Sequence, residues 1–358
     1  MRAERVAAES LADRDAGGLA GAVLLAPVRV GTELLAKGTR LDGEASRQLH
    51  AAALAGRLAV PLRLGWPDPG DLHEDDAAAA LAAAIAGPGV ARGAPRQSRV
   101  DLTARTDGVL RVQVEALARL NRVDPLEVFT LFHGQAVRAG QVVASTKVAP
   151  HLVAGFAVAE GVAVARAAAP LVDVAPYLPL QVAAVAAEPL AAGGLERFEA
   201  AARAKVEGLG GTFVGCYPAA RRHDGPADGP GPGAVLDELR GRGVKVILVG
   251  GVSAGDPLSP MFEALAERGG AVLRRGVPAH PGSMIWFARL GGATLMGLPQ
   301  CGMFSMATAA DLVLPRLLTG EAITAEALAD LGHGGLLGRD MRFRLPDYAR
   351  ELETPTDP

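Results

Sequence analysis

The stretch "KVILVGGVSAGDPLSPMFEALAERGG", Lys245–Gly270, decides the fold of the second half of the chain. A continuous apolar run over Val244–Val249 has the character of a strand buried on both faces, as in a parallel sheet. It ends in Gly250 and Gly251, passes Ser253, Gly255 and Asp256, and gives way to a helical pattern over Leu258–Arg268. A strand that feeds a helix through so short a glycine-rich loop places that loop at the carboxyl edge of a sheet. Ligands of open α/β sheets bind there.

The flanking sequence repeats this alternation. "LQVAAVAAEPL" from Leu180 reads as a buried strand, Leu195–Leu209 as a helix, Gly211–Cys216 as a strand and Ala234–Gly241 as a helix. Ala271–Arg275 follows as a strand, Ser283–Leu290 and Ala293–Leu298 as a strand pair, and Phe304–Leu318 as a helix. "RRHDGPADGPGPG" between them is an exposed loop. Apolar strands alternating with amphipathic helices predict a three-layer α/β domain with a largely parallel sheet.

The first half reads as an α+β region. Residues 1–20 are charged and rich in Ala and Gly, and are expected to be a flexible N-terminus. Asp42 is placed to cap a helix running to Ala55. "GDLHEDDAAAALAAAIAG", Gly70–Gly87, is a helix with an acidic first turn. Helical pattern near Val112–Arg122 precedes strands near Glu127–Phe132 and Gln141–Lys147. Residues 151–178 read as short strand or coil pieces, and Pro176 and Pro179 mark a boundary.

Composition excludes several classes of function. The 358 residues carry a net charge of −3 and only 4% aromatics, so neither a nucleic-acid partner nor an anionic membrane surface is indicated. Cys216 and Cys301 are the only cysteines and form no CxxC, which speaks against a disulfide frame or structural zinc. The charged N-terminus is no secretory signal, and Glu160 and Arg166 interrupt the most apolar segment. The expectation is a soluble cytoplasmic protein.

Candidate chemistry gathers in five places. In Gly250–Pro257, Gly250, Gly251 and Gly255 allow close backbone approach, and Ser253 with the loop N–H groups suits a phosphate. Asp256 either holds Mg²⁺ or caps the next helix. In "GLPQCGMFS", Gly297, Pro299, Gln300, Gly302 and Ser305 shape a second loop, where Cys301 reads as a packing residue without an adjacent base. Gly282 and Ser283 belong to a tight turn after His280. In the first half, Asp71 and Glu74 stand in an acidic cluster that suits either a metal or a helix start. Lys147, one of only four lysines (with Lys37, Lys205 and Lys245), ends a strand and suits either an anion or a plain surface position.

These residues carry a resemblance. "VGGVSAGDP", "PAHPGSMIWFARLGG" and "GLPQCGMFSMATAADLVLPRLLTG" make Leu180–Leu318 similar to the molybdopterin-binding domain shared by molybdopterin adenylyltransferase, molybdopterin molybdenumtransferase and gephyrin. "GTRL", "GDLHEDDAAAALAAAIAG", "VEALARLN" and "VRAGQVVASTKVAP" extend the likeness over most of residues 20–320. That extended likeness is to a bacterial group tied to the molybdenum cofactor cytidylyltransferase system. The resemblance implies a flexible N-terminus (1–20), an α+β region of one or two subdomains (21–178), a molybdopterin-binding α/β domain (179–320) and a C-terminal extension (321–358). It implies molybdopterin or its nucleotide form as ligand, Mg²⁺ at Asp256, a transferase reaction in molybdenum cofactor biosynthesis and a homodimer. The chain departs from the family at Ala186-Ala187-Glu188-Pro189, where a TGDE-like loop is expected, and at Gly297–Gly302, which lacks the family's asparagine. Those departures favour a second reading, a carrier or chaperone that delivers cofactor to a molybdoenzyme or a maturation protein. A sensor of cofactor supply is the third.

Overall fold

The computed structural model describes residues 1–12, 16–58, 61–219, 230–304, 306–350 and 352. The chain divides into two compact units. The first comprises Met1–Arg105, Arg111–His133 and Ala139–Val174; the second comprises Thr106–Leu110, Gly134–Arg138 and Ala175–Pro358. Among the described residues no helix is long and apolar enough to cross a membrane.

In the first unit, strands Arg2–Val6, Leu62–Trp66 and Val23–Leu24 form a small antiparallel sheet. The opening residues, expected to be flexible, thus supply an edge strand. Leu11 and Leu19 are fully buried in the cluster that packs on it, so apolar side chains spaced through a charged segment suffice to anchor it. Asp42 caps the helix Gly43–Leu54 as expected, its Oδ1 accepting the N–H groups of Glu44 and Ala45 at 3.0 and 2.9 Å. A second antiparallel sheet orders Leu126–Thr130, Val142–Val148, Arg99–Ala104 and Val90–Arg92. The helices Glu74–Ile85 and Gly155–Ala167 complete the unit. The latter falls where the sequence suggests short strand or coil pieces. Its buried Ala157, Val158, Gly161 and Ala165 share one helical face. Gly161 lets the helix approach so closely that a Cβ there would lie 2.4 Å from Leu126 Cδ1.

The second unit is the expected mixed α/β domain. Its elements are β1 (Gln181–Ala186), α1 (Gly194–Glu207), β2 (Thr212–Pro218), α2 (Pro232–Gly241), β3 (Val246–Gly250), α3 (Pro260–Glu267), β4 (Ala271–Arg275), β5 (Trp286–Leu290), β6 (Ala293–Leu298) and α4 (Ala310–Leu318). The six strands are ordered β2-β1-β3-β6-β5-β4. β2, β1, β3 and β6 run parallel; β5 pairs antiparallel with β6, and β4 pairs antiparallel with β5, so β4 runs in the direction of the core. Side chains alternate across the sheet, since successive residues of a strand face opposite ways. Val182, Ala184, Val246, Leu248, Phe287 and Met296 join one core with α1 and α4, while Ala183, Val185, Ile247, Val249, Ala288 and Leu295 join another with α2 and α3. Both faces are covered, which is why these strands read as unbroken apolar runs.

Two elements of this unit start at least three residues later than the sequence reading places them. The strand expected from Ser283 begins at Trp286, because Gly276 N–H to Ile285 O and Val277 N–H to Ser283 O bonds hold the preceding residues in a turn. The helix expected from Phe304 begins at Ala310, after a short 3-10 turn over Gln300–Met303. There the Asp311 carboxylate takes the Thr308 N–H at 2.8 Å and Thr308 Oγ1 takes the Ala310 N–H at 3.2 Å, which fixes the helix start.

Candidate functional site

Because β1, β3 and β6 are parallel, the segments that leave them meet at one edge. These are Ala187–Pro189, Gly251–Pro257 and Pro299–Met303. The turn at Pro281–Ser283, which enters antiparallel β5, lies at the same edge. Topology therefore brings together Gly250, Gly251, Ser253, Gly255, Asp256, Gly282, Ser283, Gly297, Pro299, Gln300 and Gly302. Ser305 lies outside the described residues. Lys147, Asp71 and Glu74 belong to the first unit.

Most of the glycines at this edge make room for the protein's own side chains. A Cβ on Gly250 would lie 2.4 Å from Met303 Cε, and one on Gly297 would lie 2.0 Å from Trp286 Nε1. Gly251, at φ +84°, lies against Glu188, whose Cγ would be 2.3 Å from an added Cβ. Gly282, at φ +100°, abuts Thr308, and Gly302 abuts Pro299 and Thr308. Gly255 differs from these: an added Cβ meets only Ser253 Oγ at 3.6 Å and Met284 Cε at 3.8 Å, ordinary contacts. The exposed part of the loop is Ser253 and Gly255–Pro257.

The carbonyls of this loop are held from behind. Trp286 Nε1–H donates to Val252 O at 3.0 Å, Asp256 N–H to Ser253 O at 3.3 Å, and Arg275 Nη1 to Ala254 O at 3.1 Å. In a planar trans peptide the N–H points opposite to its carbonyl. The N–H groups of Ser253 and Ala254 therefore face away from the Trp286 and Asp256 donors that hold their peptide carbonyls, and have no acceptor among the described residues. Ser253 Oγ accepts the Gly255 N–H at 3.2 Å. Asp256 is not the cap of α3. Ser259 holds the N-cap position, and Asp256 Oδ1 instead accepts the Leu258 N–H at 3.0 Å, closing a turn one step earlier.

The remaining edge residues have structural partners. Ser283 is half-buried, and Pro299 O accepts the Gly302 and Met303 N–H groups, leaving Gln300 exposed. The His280 backbone is clamped on both sides, its N–H donating to Gly335 O and its O accepting from Leu337 N–H, both at 2.7 Å. Cys301 is half-buried in the 3-10 turn. Burial pushes the Cys216 thiol up to about 12, which removes the thiolate a nucleophile needs. Cys216 should accordingly react with a maleimide at pH 8 at least about tenfold slower in the folded than in the unfolded protein. Equal rates in the two states would contradict that environment.

In the first unit the acidic cluster is dispersed among separate partners. Asp71 Oδ2 accepts the Asp68 N–H and pairs with the Met1 amino group at 2.9 Å each, and the Met1 hydrogen bond foremost holds its carboxyl below the usual range. Buried Glu74 pairs with His151 Nδ1 at 2.7 Å. Asp75 accepts the Ser98 N–H at 3.0 Å, and Asp76 pairs with Arg40 at 2.6 Å. His73, with Nε2 2.8 Å from Gly38 O and Nδ1 accepting the Asp75 N–H, caps the helix. Four acids where a helix start needs one or two thus have a local account: each ties a different segment to this turn. Lys147 Nζ donates to Ser98 Oγ at 3.0 Å. Among the described residues no group of three or more His, Cys, Asp or Glu side chains is arranged to hold a metal.

The sequence reading missed one constellation in the second unit. Lys205 on α1 donates to Asp311 at the start of α4. Asp311 also accepts Tyr348 Oη–H at 3.0 Å; Lys205 and Asp311 are buried and Tyr348 is half-buried against them. Burial, then the Asp311 charge, push the Tyr348 phenol well above its ordinary range. One signal was available: Lys205 falls on the same helical face as the apolar Phe198, Ala202 and Val206.

No family model matches this chain, and no curated protein matches it. Among solved structures, the molybdopterin biosynthesis MoeA protein from Pyrococcus horikosii is similar over 70% of this chain and 79% of its own, with 14% identity and a TM-score of 0.28. A likeness so slight does not bear on fold or function.

Proposed function

We propose that the protein binds a molybdopterin-type pterin phosphate at the carboxyl edge of its six-stranded sheet, in the synthesis or handling of the molybdenum cofactor. The observation that carries this reading is the loop after β3. It combines two N–H groups without acceptors among the described residues, the exposed Ser253 and Asp256, and a glycine, Gly255, whose added Cβ would meet only ordinary contacts. Oriented backbone N–H groups form concavities that bind anions. The order of motifs over Leu180–Leu318, which resembles the molybdopterin-binding domain, supplies the pterin.

Mg²⁺ takes one or two carboxylates and completes its shell with water and ligand phosphates. Asp256 fits that demand: Oδ1 is committed to Leu258, while Oδ2 has no partner among the described residues. A bound Mg²⁺ would neutralise phosphate charge. Asp256 would hold it, Ser253 and Ala254 N–H would orient the phosphate, and Gly255 would let it approach. The second reading, a carrier without transfer chemistry, is favoured by Ala186-Ala187-Glu188-Pro189, which leaves Glu188 as the only acid after β1. A turnover assay with molybdopterin, nucleotide, Mg²⁺ and molybdate separates the two.

Gly255→Val tests the site without testing the fold. The position is exposed and an added Cβ meets only ordinary contacts, so stability should stay within about 0.5 kcal/mol of the parent, as for surface changes. Affinity for molybdopterin, titrated by its fluorescence, should fall at least about tenfold. An unchanged affinity would remove the loop from the site.

A further inference from the structure

The buried constellation around Asp311 stands next to the candidate edge. Asp311 Oδ1 accepts from Lys205 and from Tyr348, and Oδ2 accepts the Thr308 N–H. Fully buried Thr308 lies between two edge turns: added Cβ atoms would lie 2.8 Å from its Cβ at Gly282 and 3.1 Å from its Oγ1 at Gly302. The next residue, Ala309, donates its N–H to Pro281 O at 2.8 Å. On the other side of the same turn, Gly335 and Leu337 clamp the His280 backbone. Both sets of contacts depend on the C-terminal segment, which buries Leu328, Leu331, Leu337, Leu345 and Ala349 in the core beneath α1 and α4.

We propose that Tyr348 and the Gly335–Leu337 stretch are positioning residues of the carboxyl edge: Tyr348, through Asp311 and Thr308, and Gly335–Leu337, through His280, hold the Gly282 and Gly302 turns in the geometry that receives the ligand. The proposal rests on the reading of that edge as a binding site. Its physical basis is directionality. A buried ion pair adds little net stability over an apolar replacement. Its hydrogen bonds nonetheless accept one orientation of Thr308, where an apolar contact would tolerate several. Asp311 has both oxygens engaged, so removing the Tyr348 hydroxyl leaves the Lys205 and Thr308 bonds to set its orientation alone.

The test uses the full chain with Tyr348→Phe and, separately, Thr308→Val, each keeping the shape of the original side chain. Phe198→Leu serves as a control that loosens the same core elsewhere. Amide hydrogen exchange is read in peptides covering Val277–Ile285 and Pro299–Phe304, and in Val246–Gly250 and Ala293–Leu298 as strand references. Both test variants should unfold cooperatively and exchange at least about tenfold faster in the two turns, with the strands unchanged. Phe198→Leu should raise exchange in turns and strands alike. Affinity of Tyr348→Phe for molybdopterin should fall about tenfold. Turn exchange equal to the parent, or rising only in proportion to the strands as in the control, overturns the proposal, as does an affinity equal to the parent's. A parent that binds no molybdopterin instead sinks the reading of the edge, and the exchange comparison still decides whether Tyr348 positions the turns.

Discussion

Asp311→Ala should lower the free energy of unfolding by about 3–5 kcal/mol, the cost of leaving a buried charge without its partner. Lys205 is only 3% exposed and its ammonium would lose its carboxylate, and the Thr308 N–H and Tyr348 hydroxyl would each lose an acceptor. The cost comes from stranding these groups rather than from any large net worth of the pair. Lys205→Met should be destabilising for the mirror reason, a buried carboxylate without its cation. The double variant Lys205→Met/Asp311→Asn removes both charges and keeps an acceptor for Thr308, so it should be clearly less destabilised than the sum of its parts. Urea unfolding followed by circular dichroism, of these variants and of the single Asp311→Asn that completes the cycle, gives the values. Strict additivity would mean that the two residues do not form the pair described.

Gly297→Val should cost about 2–4 kcal/mol. Its Cβ would fall 2.0 Å from Trp286 Nε1, directly across the β5–β6 ladder, and both residues are fully buried. The indole must move, which adds overpacking strain of about 1–3 kcal/mol and breaks its bond to Val252 O, worth about 1 kcal/mol. Because that bond holds the loop after β3, the variant should also disturb the candidate site. Urea unfolding gives the cost, and a red shift in tryptophan emission should accompany it. A variant as stable as the parent would show that the indole does not occupy this space. Gly251→Val should be milder, about 1–3 kcal/mol for a branched residue held at positive φ, since the flexible Glu188 side chain can give way.

What the sequence made legible follows from how local each signal is. Val246–Gly250 and Gln181–Ala186 are apolar at every position because both faces of the sheet are covered, so the strands and the loops after them could be read directly. The helix Gly155–Ala167 was hidden by its valines and glycine, which suit a strand or coil as well; its helical face appears only when Gly161 meets Leu126. The start of α4 was legible in principle, since Thr308-Ala309-Ala310-Asp311 has the spacing of a capping box. The glycines of the edge were identified as positions of close approach, but what approaches them is set by Met303, Glu188, Thr308 and Trp286. No local pattern reports those partners. The Lys205–Asp311 pair spans 106 residues and is legible only as an isolated lysine on an apolar helix face.

Uptake of a pterin phosphate at the carboxyl edge of the six-stranded sheet can be read by native mass spectrometry of the full chain, purified without denaturation from a host that makes molybdopterin. The protein should retain an adduct with the mass of molybdopterin or its nucleotide form, released on unfolding, lost in Gly255→Val and absent from protein made in a host that cannot synthesise the pterin. Retention of a ligand of another class, or a chain that emerges without ligand and binds no added molybdopterin, would contradict it.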